Sequence, residues 1–179
     1  MSTIDILSAE KRHLAQLLEA VQRCVYFLDA AAKSLPWPLL GDELARRKKD
    51  PALFGGLAAF NERFAKLQDT LAAAMRHAHL LLGESADSFL KVLAYYEKQG
   101  VIDSLADWQL LRTARNLAAH DYETDYVDIA EHFNTLHGLM PGLLAASGAF
   151  VFLCQDRLAI DPASADFVQE FKQIVRAPE

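Results

Sequence analysis

Residues 51–83, PALFGGLAAFNERFAKLQDTLAAAMRHAHLLLG, carry the clearest indication of fold in this chain. Their large apolar residues recur every three or four positions, which is the period of an α-helix with one face in a core. Pro51 suits a first helical position, and Gly83 suits the residue just beyond a helix end. The segment therefore predicts one long helix. Its core face would consist of Phe54, Leu57, Phe60, Phe64, Leu67, Leu71, Met75 and Leu82.

The segments on both sides of this helix show the same period. Prolines and glycines separate them, because proline cannot donate the helical hydrogen bond and glycine favours helix ends. The further expected helices run from Ile4 to about Ala32, from a cap at Ser85 to Gln99, from a cap at Asp103 or Ser104 through His120, from about Asp125 to about Leu158 with a kink at Pro141, and from Ala163 to Val175. The pattern predicts an all-α, up-and-down bundle of four to five helices with an additional short C-terminal helix.

Length and composition fit a single domain over residues 1–179, with a hydrophobic fraction of 52%. The net charge of −6 excludes a global positive field for nucleic acid, so any RNA contact must be local. The only dense basic run is Arg46-Arg47-Lys48-Lys49, in the first loop or the start of the second helix. We interpret it as a solvated loop, with contact to RNA or to an acidic partner as the alternative.

Two features bear on the cellular compartment. Cys24 and Cys154 are far apart and form no metal-binding or redox pair, and no secretory leader is recognised, which favours a reducing cytoplasm. The apolar run from Leu139 to Cys154 is shorter than the roughly 20 residues needed to span a bilayer. We expect it to be a core helix, and we expect no membrane association.

The stretch RNLAAHDY, residues 115–122, is the most direct indication of chemistry. Arg112, Asn116 and His120 are spaced four apart and share one stripe of a helix. Arg115 and His120 are five apart, about 140° around the axis, so they would not meet on a straight helix. A shared site would need a helix end or bend near His120, or a second subunit that completes it.

An arginine and a histidine can act together on a phosphodiester without a metal ion. The guanidinium binds phosphate oxygens and the imidazole transfers a proton near neutral pH, which is sufficient for RNA cleavage by a ribose 2′-hydroxyl. Asn116 could hold the histidine or the phosphate, and Tyr122 could stack on a base. The alternative is an ordinary helix C-terminus without a catalytic role, where Arg and His interact favourably with the helix dipole. The remaining histidines show no metal-ligand pattern, so we expect no metal and no cofactor.

The sequence of this region resembles that of the HEPN superfamily, in particular of HepT-like toxins and the related nucleotidyltransferase substrate-binding proteins. The resemblance is carried by an arginine, four residues, a histidine, one residue and a tyrosine, with an asparagine straight after the arginine, and it extends over about residues 52–126. These positions are Asp107, Trp108, Arg112, Arg115, Asn116, His120 and Tyr122.

This resemblance implies a homodimer whose motif helices share one cleft and a metal-independent endoribonuclease that acts as a toxin. Arg115 would then bind the phosphate, His120 would be the acid and base, and Asn116 would assist. Tyr122 would be modified by a minimal nucleotidyltransferase antitoxin, and Arg112 would support the site or contact RNA. The alternative is a non-catalytic subunit that binds a nucleotidyltransferase, since some relatives have that role.

Overall fold

The computed structural model describes residues 3–85, 87–118 and 125–176. Within these residues the chain forms helices and no strands, which confirms the all-α bundle. The helices are α1 (Thr3–Lys33), α2 (Gly41–Arg46), α3 (Pro51–Leu81), α4 (Phe89–Lys98), α5 (Leu105–Ala118), α6 (Tyr126–Leu158) and α7 (Val168–Val175).

The three long helices α1, α3 and α6 pack against one another and enclose the core. Helices α1 and α3 are antiparallel, because His77 bonds to Glu10 near one end while Cys24 lies beside Thr70 further along. Helix α5 packs on α3, α4 and α6, and α7 packs on α1 and α6. Helix α5, which carries Arg112, Arg115 and Asn116, therefore packs on the outside of this three-helix core.

Most helix ends follow from local residues. Asp50 caps α3 by accepting from the N–H groups of Ala52 and Leu53, with Pro51 in the first turn. Gly83 and Gly100 adopt positive φ just past α3 and α4, as their sequence positions predict. Asp125 caps α6 by accepting from the Val127 N–H.

Four expectations were wrong in detail. The cap of α4 is Ser88, whose hydroxyl accepts from the Lys91 N–H, and not Ser85. Helix α7 begins at Val168, five residues later than expected, and the short helix α2 was not predicted. Phe152 belongs to the apolar run from Leu139 to Cys154 that was expected to form a core helix, but it is 68% exposed on α6.

Helix α2 and the loop before it are fixed to α6 by a reciprocal pair of hydrogen bonds. The Leu39 N–H donates to Asn134 Oδ1 at 2.8 Å, and Asn134 Nδ2 donates to the Leu39 carbonyl at 2.9 Å. Asn134 thus satisfies both backbone groups of a buried residue that lies in no helix.

Helix α6 is the one described helix that is long and apolar enough to cross a membrane, with a mean hydropathy of 1.6 in its most apolar window. Half of that window is buried inside the protein. The same helix contacts α1, α2, α3, α5 and α7. A core helix of a bundle meets the same criterion, so length and composition alone do not make α6 a membrane helix.

Candidate functional site

The guanidinium of Arg115 is fixed between helices α5 and α3. Its Nη1 donates to Asp69 Oδ1 at 2.9 Å and to the Ala65 carbonyl at 3.1 Å. The Arg115 side chain is 15% exposed, whereas that of Asp69 is 67% exposed. The motif arginine is thus held at one nitrogen on a surface that solvent reaches from the Asp69 side.

The sequence of α5 explains why Arg115 faces α3. Ser104 begins the helix by accepting from the Asp107 N–H at 3.0 Å. Trp108, Leu111 and Ala114 are buried and turn that face of α5 toward the core. Arg115 follows Trp108 by seven residues, which is about two helical turns. It therefore lies on almost the same side of α5 as Trp108 and contacts α3 two turns further along.

A groove with a volume of about 290 Å³ opens beside Arg115, between α3, α4 and α5. Three arginines line it, and they are Arg76, Arg112 and Arg115. The guanidinium of Arg76 lies over the Phe89 ring, 4.1 Å from its centroid, which is a favourable cation–π distance. The remaining lining residues are Gln68, Asp69, Ala72, Phe89 and Trp108.

The charge of this groove is opposite to that of the whole chain. Among the described residues of its lining there are three guanidinium groups and one carboxylate, that of Asp69, although the chain carries a net charge of −6. A concave surface lined by one sign of charge focuses the field and attracts counter-ions. The groove is therefore a local positive surface on α3 and α5 of an acidic chain.

Gln68 lies in the wall of the same groove and is 2% exposed. Its Nε2 donates to the Trp108 carbonyl at 3.3 Å, and its Oε1 has no hydrogen-bond partner among the described residues. A buried acceptor without a donor costs roughly 1–3 kcal/mol, so such groups are uncommon in a core.

The structure brings some of the expected site residues together and leaves others apart. Arg112 and Arg115 line one groove, and Asn116 is exposed on the next position of α5 but does not line that groove. His120 and Tyr122 lie outside the described residues, so the geometry between Arg115 and His120 is untested.

The basic run does not contribute to this groove. Arg46 ends α2 and lies 3.9 Å from Glu43, and Arg47 forms a 2.7 Å ion pair with Asp50, the residue that caps α3. Lys48 and Lys49 are exposed in the turn that follows. Arg46 and Arg47 therefore have local structural partners, and contact of the run with RNA stays a prediction.

Sequence reasoning missed the residues that α3 contributes. Asp69 and Arg76 are seven apart, which places them on one stripe of a helix, with Ala72 between them. Gln68 stood out less, as a polar residue next to Leu67 on the apolar face. A search for polar residues that interrupt the apolar stripe of α3 could have found this wall, but not which helix it faces.

The flank of α5 next to its buried face is apolar and exposed. Leu110 is 48% exposed and Leu117 is 43% exposed, and the two residues are one heptad apart. They lie within about 20° of each other around the axis. Such a pair is suited to packing against a second helix.

Among residues 3–85, 87–118 and 125–176 there is no group of three His, Cys, Asp or Glu side chains that could hold a metal ion. Comparison of the chain with protein-family models, with curated proteins and with solved structures finds no match.

Proposed function

We propose that this protein is a HEPN-type, metal-independent endoribonuclease of the cytoplasm, the toxin half of a pair with a minimal nucleotidyltransferase antitoxin. The observation that carries the proposal is the position of Arg115, the motif arginine, in a groove lined by two further arginines on an otherwise acidic chain. The motif RNLAAHDY supplies the remaining groups.

The proposed reaction is an internal transesterification of RNA. His120 removes the proton of a ribose 2′-hydroxyl, and the 2′-oxygen forms a bond to the adjacent phosphorus. The bond from phosphorus to the 5′-oxygen of the next nucleotide breaks, and that oxygen takes up a proton. The products are a 2′,3′-cyclic phosphate and a free 5′-hydroxyl, with no change of oxidation state. Arg115 stabilises the extra negative charge on the phosphate oxygens in the transition state.

Asp69 has a positioning role in this proposal. The contacts to Asp69 and Ala65 both use Nη1 of Arg115, and a guanidinium carries further N–H donors on Nε and Nη2. An arginine whose orientation is already fixed loses less conformational entropy when it binds a phosphate. The same carboxylate opposes the phosphate by charge, so orientation and repulsion act against each other at this position.

A homodimer completes the proposed site. Arg115 and His120 lie about 140° apart on a straight helix, so a second motif helix is one way to bring an arginine and a histidine to the same phosphate. The exposed pair Leu110 and Leu117 on α5 supports such pairing, because apolar residues one heptad apart pack against an equivalent helix.

The antitoxin would act at Tyr122. Attack of the Tyr122 oxygen on the α-phosphorus of ATP would release pyrophosphate and the hydroxyl proton, and it would add bulk and a negative phosphate seven residues after Arg115. That charge would compete with the RNA phosphate for the arginines. Neither a metal nor a cofactor takes part in the cleavage step that we propose.

A second function has a specific observation in its favour. The small exposed fraction of Arg115 and its two contacts to α3 also suit an arginine whose task is to hold α5 in place. In that case the chain would be the non-catalytic subunit that presents its surface to a nucleotidyltransferase. The two functions differ in whether RNA is cut.

The decisive experiment is expression of the chain without its antitoxin, together with cleavage of purified RNA in a chelator. We expect growth arrest and cleavage by the wild type, and loss of both in His120→Ala with an unchanged melting temperature. Arg157→Ala, which changes an exposed arginine on α6, is the matched control and should retain activity. A folded wild type that neither arrests growth nor cuts RNA would favour the binding subunit.

A further inference from the structure

We propose that Arg76 and Arg112 form a second phosphate site, which binds the RNA backbone next to the phosphodiester that is cut. RNA as the ligand rests on the proposed function, whereas the site itself rests on the geometry of the groove. Neither Arg76 nor Gln68 belongs to the RNLAAHDY motif. The inference therefore assigns part of the RNA binding to helix α3.

Arg76 is held in position before any ligand binds. Its guanidinium lies over the Phe89 ring at 4.1 Å, and its side chain lines the groove shared with Arg115. Stacking on an aromatic ring restrains the plane of the guanidinium and leaves its N–H donors at the edge. Such a group is suited to a phosphate oxygen, and its second face can support a base.

Arg112 lies one helical turn before Arg115 on the same helix, and it is exposed. It forms no ion pair with any residue in the described part of the chain. Many other surface cations have a carboxylate next to them, as in the 2.7 Å pair of Lys33 with Asp29 and the 2.6 Å pair of Lys91 with Asp87. Arg112 thus adds a positive charge to the lining of the groove.

Gln68 is the neutral polar residue in the wall of the groove. Its buried Oε1 lacks a donor within the described ranges, although its amide nitrogen is bonded to the Trp108 carbonyl. The three arginines are donors only, so the groove suits a ligand rich in acceptors. A phosphate group meets this requirement, because its oxygens are all acceptors.

The size of the groove limits the ligand. Its volume of about 290 Å³ is at the lower end of the roughly 300–1,000 Å³ typical of small-molecule sites. One nucleotide unit is accommodated, and a longer segment would have to continue along the surface. The Asp69 carboxylate lies beside Arg115, and Arg76 lies about two turns further along α3.

The test measures binding of a fluorescent, single-stranded, 2′-O-methylated RNA, which lacks the free nucleophile and therefore cannot be cut by this route. Anisotropy titrations between about 50 and 200 mM salt give both the affinity and the slope of its logarithm against salt. The variants are Arg76→Gln, Arg112→Gln, Arg112→Lys and Gln68→Met, with Arg157→Gln as the matched control. Circular dichroism and a melting curve verify that each variant is folded.

We expect Arg76→Gln and Arg112→Gln each to weaken binding about tenfold and to reduce the salt slope by about 0.7, the change for one single-strand phosphate contact. Arg112→Lys should keep the slope, because the charge remains, but bind more weakly, because the planar fork is lost. Gln68→Met should leave the salt slope unchanged, because it changes a neutral residue of the wall and removes no charge. Arg157→Gln should match the wild type.

The outcomes separate this inference from the nuclease proposal. Wild-type cleavage with unchanged RNA affinity in Arg76→Gln and Arg112→Gln would overturn the second phosphate site and leave the nuclease intact. Binding that depends on both arginines, without any cleavage of unmodified RNA, would support the site and refute the nuclease. Equal competition by AMP or inorganic phosphate would identify a free-nucleotide or phosphate site and overturn RNA as the ligand. Weaker binding of the nucleotidyltransferase alone would assign the groove to a protein partner and overturn the inference.

Discussion

Asp69→Asn should strengthen RNA binding at a small cost in stability. Asp69 is the single carboxylate among the described residues that line the groove, and it is paired with Arg115 at 2.9 Å. The asparagine has nearly the same shape, and its Oδ1 can still accept from Nη1 of Arg115. The substitution thus removes the negative charge and preserves the contact that orients the arginine.

The size of the effect follows from exposure and distance. Because the Asp69 side chain is 67% exposed, its ion pair should contribute about 0.5 kcal/mol, within the range for surface pairs. The corresponding decrease in melting temperature is about 1–2 °C. A carboxylate about 5 Å from a phosphate in water repels it by about 0.8 kcal/mol, and salt screening halves that value. We therefore expect RNA affinity to rise about two- to fourfold.

The assay combines RNA anisotropy at two salt concentrations with urea unfolding. Glu62→Gln is the matched control, because Glu62 is also exposed on α3 but does not line the groove. A rise in affinity for Asp69→Asn alone, larger at low salt, would agree with the charge argument. Unchanged affinity, or a loss of stability above about 2 kcal/mol, would refute it and would show that Arg115 and Asp69 act only as a structural link.

Three other predictions concern stability. Gly41→Ala should destabilise the protein by about 1–3 kcal/mol, because a Cβ at position 41 would lie 2.8 Å from the Val127 backbone. Gly55→Ala should stabilise the protein by about 0.5–1 kcal/mol, because a Cβ at position 55 would have no atom within 4 Å. Urea titrations measure the sign of both changes, and equal effects would contradict the packing argument. Burial raises the pKa of Cys154 from 9.0 to about 12, so the free energy of unfolding should fall as pH rises from 9 toward 12, by up to about 1.4 kcal/mol per pH unit. Titrations of Cys154→Ala should lack this loss, and the same loss in the variant would assign it to another group. Burial lowers the pKa of His137 from 6.5, so its contribution is present above that pH and should decrease as pH falls below it; acid unfolding that is unaffected by His137→Gln would disprove this.

The elements that could be predicted are those specified by neighbours in sequence. The long helix of residues 51–81, its start at Pro51 and the glycine after it depend on residues within one or two turns. The same holds for the cap of α6 at Asp125. Ser85 and Ser88 were harder to separate, because both are residues suited to capping and the choice depends on where α4 packs.

Phe152 shows why an apolar run alone is insufficient. Helix α6 carries apolar residues on most sides, so its sequence does not specify which face is buried. Packing against α1, α3 and α5 selects that face and leaves Phe152 outside. A periodic helix such as α1 does not have this ambiguity.

Only the part of the candidate site that lies on α5 could be predicted from the sequence. Arg112 and Arg115, which line the groove, were singled out because their spacing on α5 and their chemistry can be recognised in sequence. Asp69 is 46 residues away from Arg115, and only the packing of α3 against α5 brings the two together. No local pattern specifies such a partner.

The hydrogen bonds between Leu39 and Asn134 have a consequence for amide exchange. A loop amide normally exchanges its hydrogen with solvent through small local fluctuations. The Leu39 amide is buried and bonded to a side chain of α6, 95 residues away in sequence. It should therefore exchange only when α6 separates from the start of α2. The exchange rate of this one amide would then report how often the bundle opens at that contact.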